Sequence, residues 1–228
     1  LNAAVERQGA VIYEPVDISP SALEAARERI EREIPAVEVI PRVTDYVQGL
    51  DLEPCALGER RLVIYIGSSI GNFEPEEAAR LLEGVQAGLN RGDALLLGVD
   101  LRKDEATLVS AYDDAAGVTA QFNLNMLARL NSELDADFDL DAFAHRAVWN
   151  DAQSRIEMHL VSSAAQRVKL PALDLDVAFK KGEHIHTENS YKYAPGQVEE
   201  MLSSAGFEPV STWTDARDRF AICLARVE

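Results

Sequence analysis

Residues 61–72 read RLVIYIGSSIGN. The first six are nearly all apolar and suit a strand covered on both sides. The next six, with glycines at 67 and 71, form the loop that leaves it. Residues 74–89 follow as a helix, with Pro75 at its start and acidic residues in the first turn, where the helix dipole favours them. Residues 93–100 (DALLLGVD) are the next strand. Working upstream, residues 1–8 read as the last turns of a helix, with Leu1, Ala4 and Val5 on one face and Gly9 where a left-handed cap is wanted. Residues 10–17 (AVIYEPVD) form a strand, and Ser19-Pro20 supplies an N-cap and a first-turn proline for a helix over 21–33. Pro35 stops that helix, and residues 37–43 make a second strand ending at Thr44-Asp45-Tyr46. Strands alternating with helices at this spacing predict an α/β fold with a parallel, doubly wound sheet, whose ligand site lies beyond the carboxyl ends of the strands.

After Asp100 the rhythm changes. Residues 105–131 predict one long helical stretch. Strands over 145–150, 155–162, 166–170, 175–179 and 183–193 follow without helices between them, an antiparallel group. A helix over 195–205 precedes two strands, 207–213 and 219–227, placed to form a hairpin closing the first sheet. Residues 1–101 and 193–228 therefore read as one α/β unit, and residues 102–192 as an inserted α+β lobe. Trp149 and Trp213 are expected in the core.

With 228 residues, 47% of them hydrophobic, the chain can fill a real core, which excludes a disordered or collagen-like protein. No run reaches the roughly 18 apolar residues of a membrane span, and residues 1–10 lack the features of a signal peptide. A soluble, cytoplasmic monomer without a membrane partner is expected. Two cysteines, Cys55 in a turn-like stretch and Cys223 in an apolar strand, cannot build a disulfide framework or a zinc finger. The 22 basic residues against 39 acidic ones, a net charge of −17, oppose binding to nucleic acid.

Three acids, Asp17, Asp45 and Asp100, stand at strand ends. A carboxylate at such a place can accept both hydroxyls of a ribose, and one with an aromatic neighbour, as in Asp45-Tyr46, can take an adenine amine while the ring packs on the base. These signals point to a nucleoside, although such acids also cap turns and helices. In the loop, the glycines 67 and 71 allow close backbone approach, and Asn72 offers a donor and an acceptor to a small polar substrate or else caps the next helix. Strand alternation over 183–191 places His184, His186, Glu188 and Ser190 on one face. That face reads either as a metal site or as Glu188 and Ser190 holding a hydrogen-bonding ligand while the histidines stay in solvent. A His-x-His without a fixed third ligand is a weak metal signal, so no metal is expected. Met158 shares the apolar face of its strand with Ile156 and Leu160, as core or as pocket wall. Tyr112 lies on the helix that enters the lobe.

The strings YEPVDISP (13–20), GSSIGNF (67–73), LLLGVDLRK (95–103), AYDDAAGVTAQFNLNMLAR (111–129), SRIEMH (154–159) and TENSYKY (187–193) closely resemble the histidine-specific Nα-methyltransferases that start ergothioneine biosynthesis. The similarity runs over essentially the whole chain. It implies a Rossmann-like class I methyltransferase sheet with an inserted substrate lobe, S-adenosylmethionine as cofactor, and threefold methylation of the α-amine of L-histidine to hercynine. By matching motifs, Asp17 would hold the ribose, Asp45 and Tyr46 the adenine, and Gly67 would lie at the cofactor. Asn72 and Tyr112 would grip the amino acid's α-amino and carboxylate end as the catalytic residues. Glu188 and Ser190 would bind the imidazole beside Met158. Family members carry, upstream of this start, a first strand with a Gly-rich loop and an N-terminal segment that completes the substrate lobe. Their lack is expected to make this polypeptide a fragment that binds the cofactor poorly. The competing readings are a methyltransferase for another amino acid, a non-catalytic binding protein on the same scaffold, and a nicotinamide dehydrogenase.

Overall fold

The computed structural model describes residues 1–47 and 59–228, so Cys55 lies outside the described residues. The first part of the chain runs α1 (Asn2–Gln8), β1 (Val11–Tyr13), β2 (Val16–Asp17), α2 (Pro20–Glu33), β3 (Val37–Val39), β4 (Arg42–Val43), β5 (Leu62–Tyr65), a 3₁₀ turn (Ser69–Asn72), α3 (Pro75–Ala87) and β6 (Ala94–Asp100). Then come α4 (Glu105–Tyr112), α5 (Val118–Leu134), β7 (Phe143–Asn150), β8 (Arg155–Ser162), β9 (Gln166–Leu170), β10 (Leu175–Phe179) and β11 (His184–Tyr191). The chain ends with α6 (Gln197–Ser204), β12 (Glu208–Thr214) and β13 (Phe220–Arg226).

The strands expected over 10–17 and 37–43 are each cut in two at a proline, Pro15 and Pro41, which have no N–H for a ladder. Pairing nevertheless continues across the breaks: β1 runs parallel to β3 and β2 parallel to β4. The N–H of Ile40 donates to the Tyr13 carbonyl and that of Arg42 to the Pro15 carbonyl, each at 2.9 Å. A second sheet has the order β12-β13-β6-β5, with β5 parallel to β6 and the terminal hairpin β12–β13 antiparallel to it, as the sequence predicts. Among the described residues the apolar run at 61–66 is covered on one side only. Val63 and Tyr65 pack on the core, while Leu62, Ile64 and Ile66 are 51%, 54% and 46% exposed among the described residues. The helices that cover this sheet, α3 and α6, lie on its other face.

Helix α3 begins where Pro75 sets the first-turn φ and Glu74 and Glu77 form a reciprocal capping box. Ala78, Leu82, Val85 and Leu89 then meet Leu95, Leu97 and Val99 of β6 and Val198 and Leu202 of α6 in the main core. Cys223 is buried there, and burial pushes its thiol up. Trp213, expected inside, is 53% exposed, because it sits on the outermost strand of the sheet.

The stretch 105–131 is two helices rather than one. Gly117 takes a left-handed φ of 71°, and the Asp114 carboxylate accepts from the N–H groups of Thr119 and Val118, which starts a new helix. Those bonds, Thr119's first, hold the Asp114 carboxyl down at about 2. The five expected antiparallel strands also divide. β11, β8 and β7 form one three-stranded sheet, and β9 with β10 forms a separate hairpin. Leu127 of α5 packs with Phe143, Leu160, Val168 and Leu170 between them. Among the described residues no helix is long and apolar enough to cross a membrane.

Two contacts near the head of α3 help to fasten the three-stranded sheet to the first part of the chain. Glu74, at the head of α3, accepts from Arg155 Nη1 and Asn189 Nδ2 at 2.9 Å and from the Tyr191 hydroxyl at 2.5 Å. The 3₁₀ turn lies so close to β11 that a Cβ on Gly71 would stand 2.8 Å from the Tyr191 carbonyl oxygen. Gly71→Ala must therefore push backbone from backbone. We expect a loss of about 1–3 kcal/mol in urea denaturation; an unchanged midpoint would mean that the turn and β11 are not held at this separation.

Candidate functional site

The site is organised by an irregularity in β11. Its register against β8 pairs His184 with Val161 and His186 with His159, then slips so that Glu188 pairs with Met158 and Ser190 with Ile156. Residues paired across strands share a face. Glu188 and Ser190 therefore lie with Ile156 and Met158, while His184 and His186 lie on the opposite face with Glu157 and His159. The expected single face carrying all four residues is corrected by one extra residue, Thr187, whose hydroxyl donates to the Met158 carbonyl at 3.0 Å.

Met158 is buried with Ile156, Ala147 and Leu108, against which Tyr112 and Trp149 pack. Tyr112 ends α4, and its carbonyl accepts from Nε2 of His145 at 2.7 Å, while Nδ1 of that ring accepts from Asn123 at 2.9 Å. The Tyr112 hydroxyl stands 2.8 Å from Ser190 Oγ. Between them lies Lys192, whose role the sequence reading missed. Its ammonium donates to Tyr112 Oη at 2.7 Å and to Ser190 Oγ at 2.9 Å, lies 3.0 Å from Asp100 Oδ2, and is 4.7 Å from the Tyr112 ring centroid. Strand alternation after the bulge, 188-190-192, was the signal that could have found it.

Glu188 is half-buried on this face, and its carboxylate has no hydrogen-bond partner among the described residues. Burial raises its pKa, and the positive charge of Lys192 partly opposes the rise. Asp100, at the end of β6, is held by Lys103 and Lys192, and its N–H donates to Ser68 Oγ in the 67–72 loop at 2.8 Å. That loop presents Asn72 exposed at its end. Asn72 does not cap α3, since Glu74 does. Within the loop the sterically constrained glycine is Gly71; a Cβ on Gly67 would meet only Ser69 Oγ, at 3.9 Å.

Asp17 ends β2, where it pairs with Val43, and Asp45 follows the parallel strand β4 two residues later. One oxygen of each closes a local turn, accepting from Ser19 N at 2.8 Å and from Val47 N at 3.0 Å. The turn reading is thus true of both, and each keeps a second, exposed oxygen. The Tyr46 ring stands edge-on to that of Tyr65, 5.8 Å between centroids, which brings this acidic pair next to the end of β5 and the loop at Gly67.

A family model described as histidine-specific, SAM-dependent methyltransferase matches residues 1–227. The chain belongs to this family. Among histidine-specific methyltransferases it is 46% identical over 213 residues to the histidine N-alpha-methyltransferase of Mycobacterium tuberculosis, covering 93% of this chain and 66% of that protein. It is likewise 46% identical to the enzyme of the same name from Mycolicibacterium smegmatis, covering 92% and 65%. The chain spans about two thirds of the length of these curated relatives. The crystal structure of a S-adenosylmethionine-dependent methyltransferase from Clostridium acetobutylicum superposes with a TM-score of 0.50 at 11% identity, over 94% of this chain and 74% of that one. The fold is that of the class I methyltransferases.

Because the Glu188 carboxyl titrates above its ordinary value, the ligand-free folded state binds more protons than the unfolded one as pH rises from about 4 to that raised value. Stability falls across this window. Glu188→Gln should therefore stabilise the ligand-free protein at pH 7 by up to about 1 kcal/mol, an advantage that vanishes below pH ~4. Urea denaturation at the two pH values is the measurement, and a wild type equally stable to the variant at pH 7 would contradict the assignment.

Proposed function

We propose that the protein transfers methyl groups from S-adenosylmethionine to the α-amine of L-histidine, three times in succession, giving hercynine at the start of ergothioneine biosynthesis. The observation that carries this reading is the unpartnered, half-buried Glu188 carboxylate beside the Ser190 hydroxyl, in a chain matched throughout by the histidine-specific family. In this reading residues 102–192 are the substrate lobe.

Proton accounting in the cluster supports an imidazole ligand. Lys192 donates to Tyr112 and Ser190 and pairs its charge with Asp100. Tyr112 and Ser190 share one further hydrogen bond, so only one of their two hydroxyl protons remains for a ligand. If Tyr112 donates to Ser190, the Ser190 proton faces the cleft next to the Glu188 acceptor. A neutral imidazole, with one N–H and one bare nitrogen, matches that donor and acceptor, and Met158 packs against the ring. Tyr112 Oη then offers a lone pair to an N–H of the substrate amine, and the Asn72 amide is available to the carboxylate.

The free oxygens of Asp17 and Asp45, with Tyr46 beside them, suit the ribose hydroxyls and adenine amine of the cofactor, with the backbone at Gly67 near its methionine end. The cofactor supplies an electrophilic methyl on sulfur. The protein's contribution is to hold the amine in line with that methyl and to exclude water from the approach. The amine must be neutral to attack, and its proton leaves to solvent or through Tyr112. Asp17→Asn should weaken the cofactor by about 1.5–3 kcal/mol while leaving histidine affinity nearly unchanged. Equal cofactor affinity, measured by calorimetry, would leave Asp17 as a turn residue only.

The substrate is decided by kcat/KM for histidine and for tryptophan or phenylalanine in wild type, Glu188→Ala and Glu188→Ala/Met158→Val. Loss of Glu188 should cost roughly 2–4 kcal/mol in apparent histidine binding, about 30- to 1,000-fold, with a smaller effect on kcat. The double variant should gain relative use of apolar rings. A histidine preference unchanged across all three would place imidazole recognition elsewhere.

A further inference from the structure

The face of the three-stranded sheet opposite Met158 carries a second cluster of chemistry-bearing side chains. Glu157 and His159 come from β8 and His186 from β11, and each offers one ligand atom such that all three lie within 4.8 Å of one another. His184 adds an exposed imidazole whose ring centroid is 4.6 Å from that of His159, and the His159 and His186 centroids are 4.8 Å apart. We propose that Glu157, His159 and His186 form a binding site for a divalent transition metal of the zinc type, in a structural rather than catalytic role.

The donor set is two imidazoles and one carboxylate, which suits zinc and its neighbours rather than magnesium or calcium. Ligands about 2.1 Å from a tetrahedral ion stand ~3.4 Å apart, so the cluster must close by about an ångström. His186 is exposed and free to make that movement. The other two ligands are already oriented. Glu157 Oε1 accepts from Asn150 and Arg155 at 2.9 Å, which leaves Oε2 directed at His159 Nε2, 3.4 Å away. Such outer hydrogen bonds fix a ligating carboxylate in known metal sites.

A second observation concerns His159. The residue is only 8% exposed, and its Nδ1 has no hydrogen-bond partner among the described residues. An ion on Nε2, the nitrogen that faces Glu157, would leave the ring proton on Nδ1. Two cations face the cluster. Arg155 is matched by Glu74 and Glu157, and Arg146, the cross-strand partner of His159, is exposed and able to swing away. The sequence reading discounted a metal for want of a third ligand; the adjacent strand provides two, Glu157 and His159, that no spacing within residues 183–191 could reveal. Because the bulge at Thr187 lies between His186 and Glu188, an ion here would clamp β8 to β11 where the strand changes face.

Titration of the chelator-treated protein with Zn²⁺, and separately with Co²⁺, tests the site. One equivalent should bind with micromolar affinity or better, Zn²⁺ should raise the Tm, and Co²⁺ should show the intense visible absorption of a tetrahedral nitrogen and oxygen site. His186→Ala, at an exposed position where folding is not in question, and Glu157→Gln should each weaken binding at least about tenfold. Absence of saturable binding overturns the proposal, and so does binding that is undisturbed by His186→Ala.

Discussion

The buried ammonium of Lys192 is the constraint on which the arrangement of the site depends. Only 2% of the residue is exposed, and an unpaired charge at such a place would cost several kcal/mol. Its charge is paired with Asp100 at the end of β6, and it donates to Tyr112 at the end of α4 and Ser190 in β11. Loss of Asp100 from this place would leave the charge unpaired, and loss of either hydroxyl would remove one of its acceptors. One side chain thus ties the central sheet, the helix that follows it and the three-stranded sheet together, and it also dictates which hydroxyl protons are available in the cleft.

The second constraint is the extra residue at Thr187. A regular β11 would put both histidines on the Met158 face, crowding the surface where Glu188 and Ser190 sit. Shifting the register by one residue exchanges the faces of everything beyond it. The strand consequently carries two separate chemistries, imidazoles and Glu157 on one side, and the Glu188, Ser190 and Lys192 row on the other. The Thr187 hydroxyl bonds to the Met158 carbonyl, so the irregularity has a partner of its own.

Much of this was legible in the sequence because it rests on local rules. The Ser19-Pro20 cap, the Pro75 start, the left-handed Gly9 and the strand over 93–100 follow from capping chemistry and apolar spacing, and all appear as expected. What was not legible depends on partners distant in sequence. Asn72 looked like a helix cap only until Glu74 and Glu77 were seen to cap each other. The break at residues 113–117 turns on the Asp114 carboxylate folding back onto two N–H groups, and β5 reads as fully buried until one sees that helices cover a single face. The bulge and the Lys192 cluster required knowledge of strand register, which period-two alternation assumes rather than provides.

The same register accounts for the state of Glu188. Lys192 is near enough to oppose the rise in its pKa, yet the ammonium is already directed at Asp100 and two hydroxyls, so it does not neutralise the carboxylate. Glu188 is left half-buried and without a protein donor among the described residues, a cost that covering the carboxylate with a ligand would raise. A ligand that brings an N–H relieves it, whereas an apolar ring covers the carboxylate and makes it worse. In the proposed reading, discrimination would arise less from attraction to the right ring than from the unmet demand that every wrong ring leaves in place.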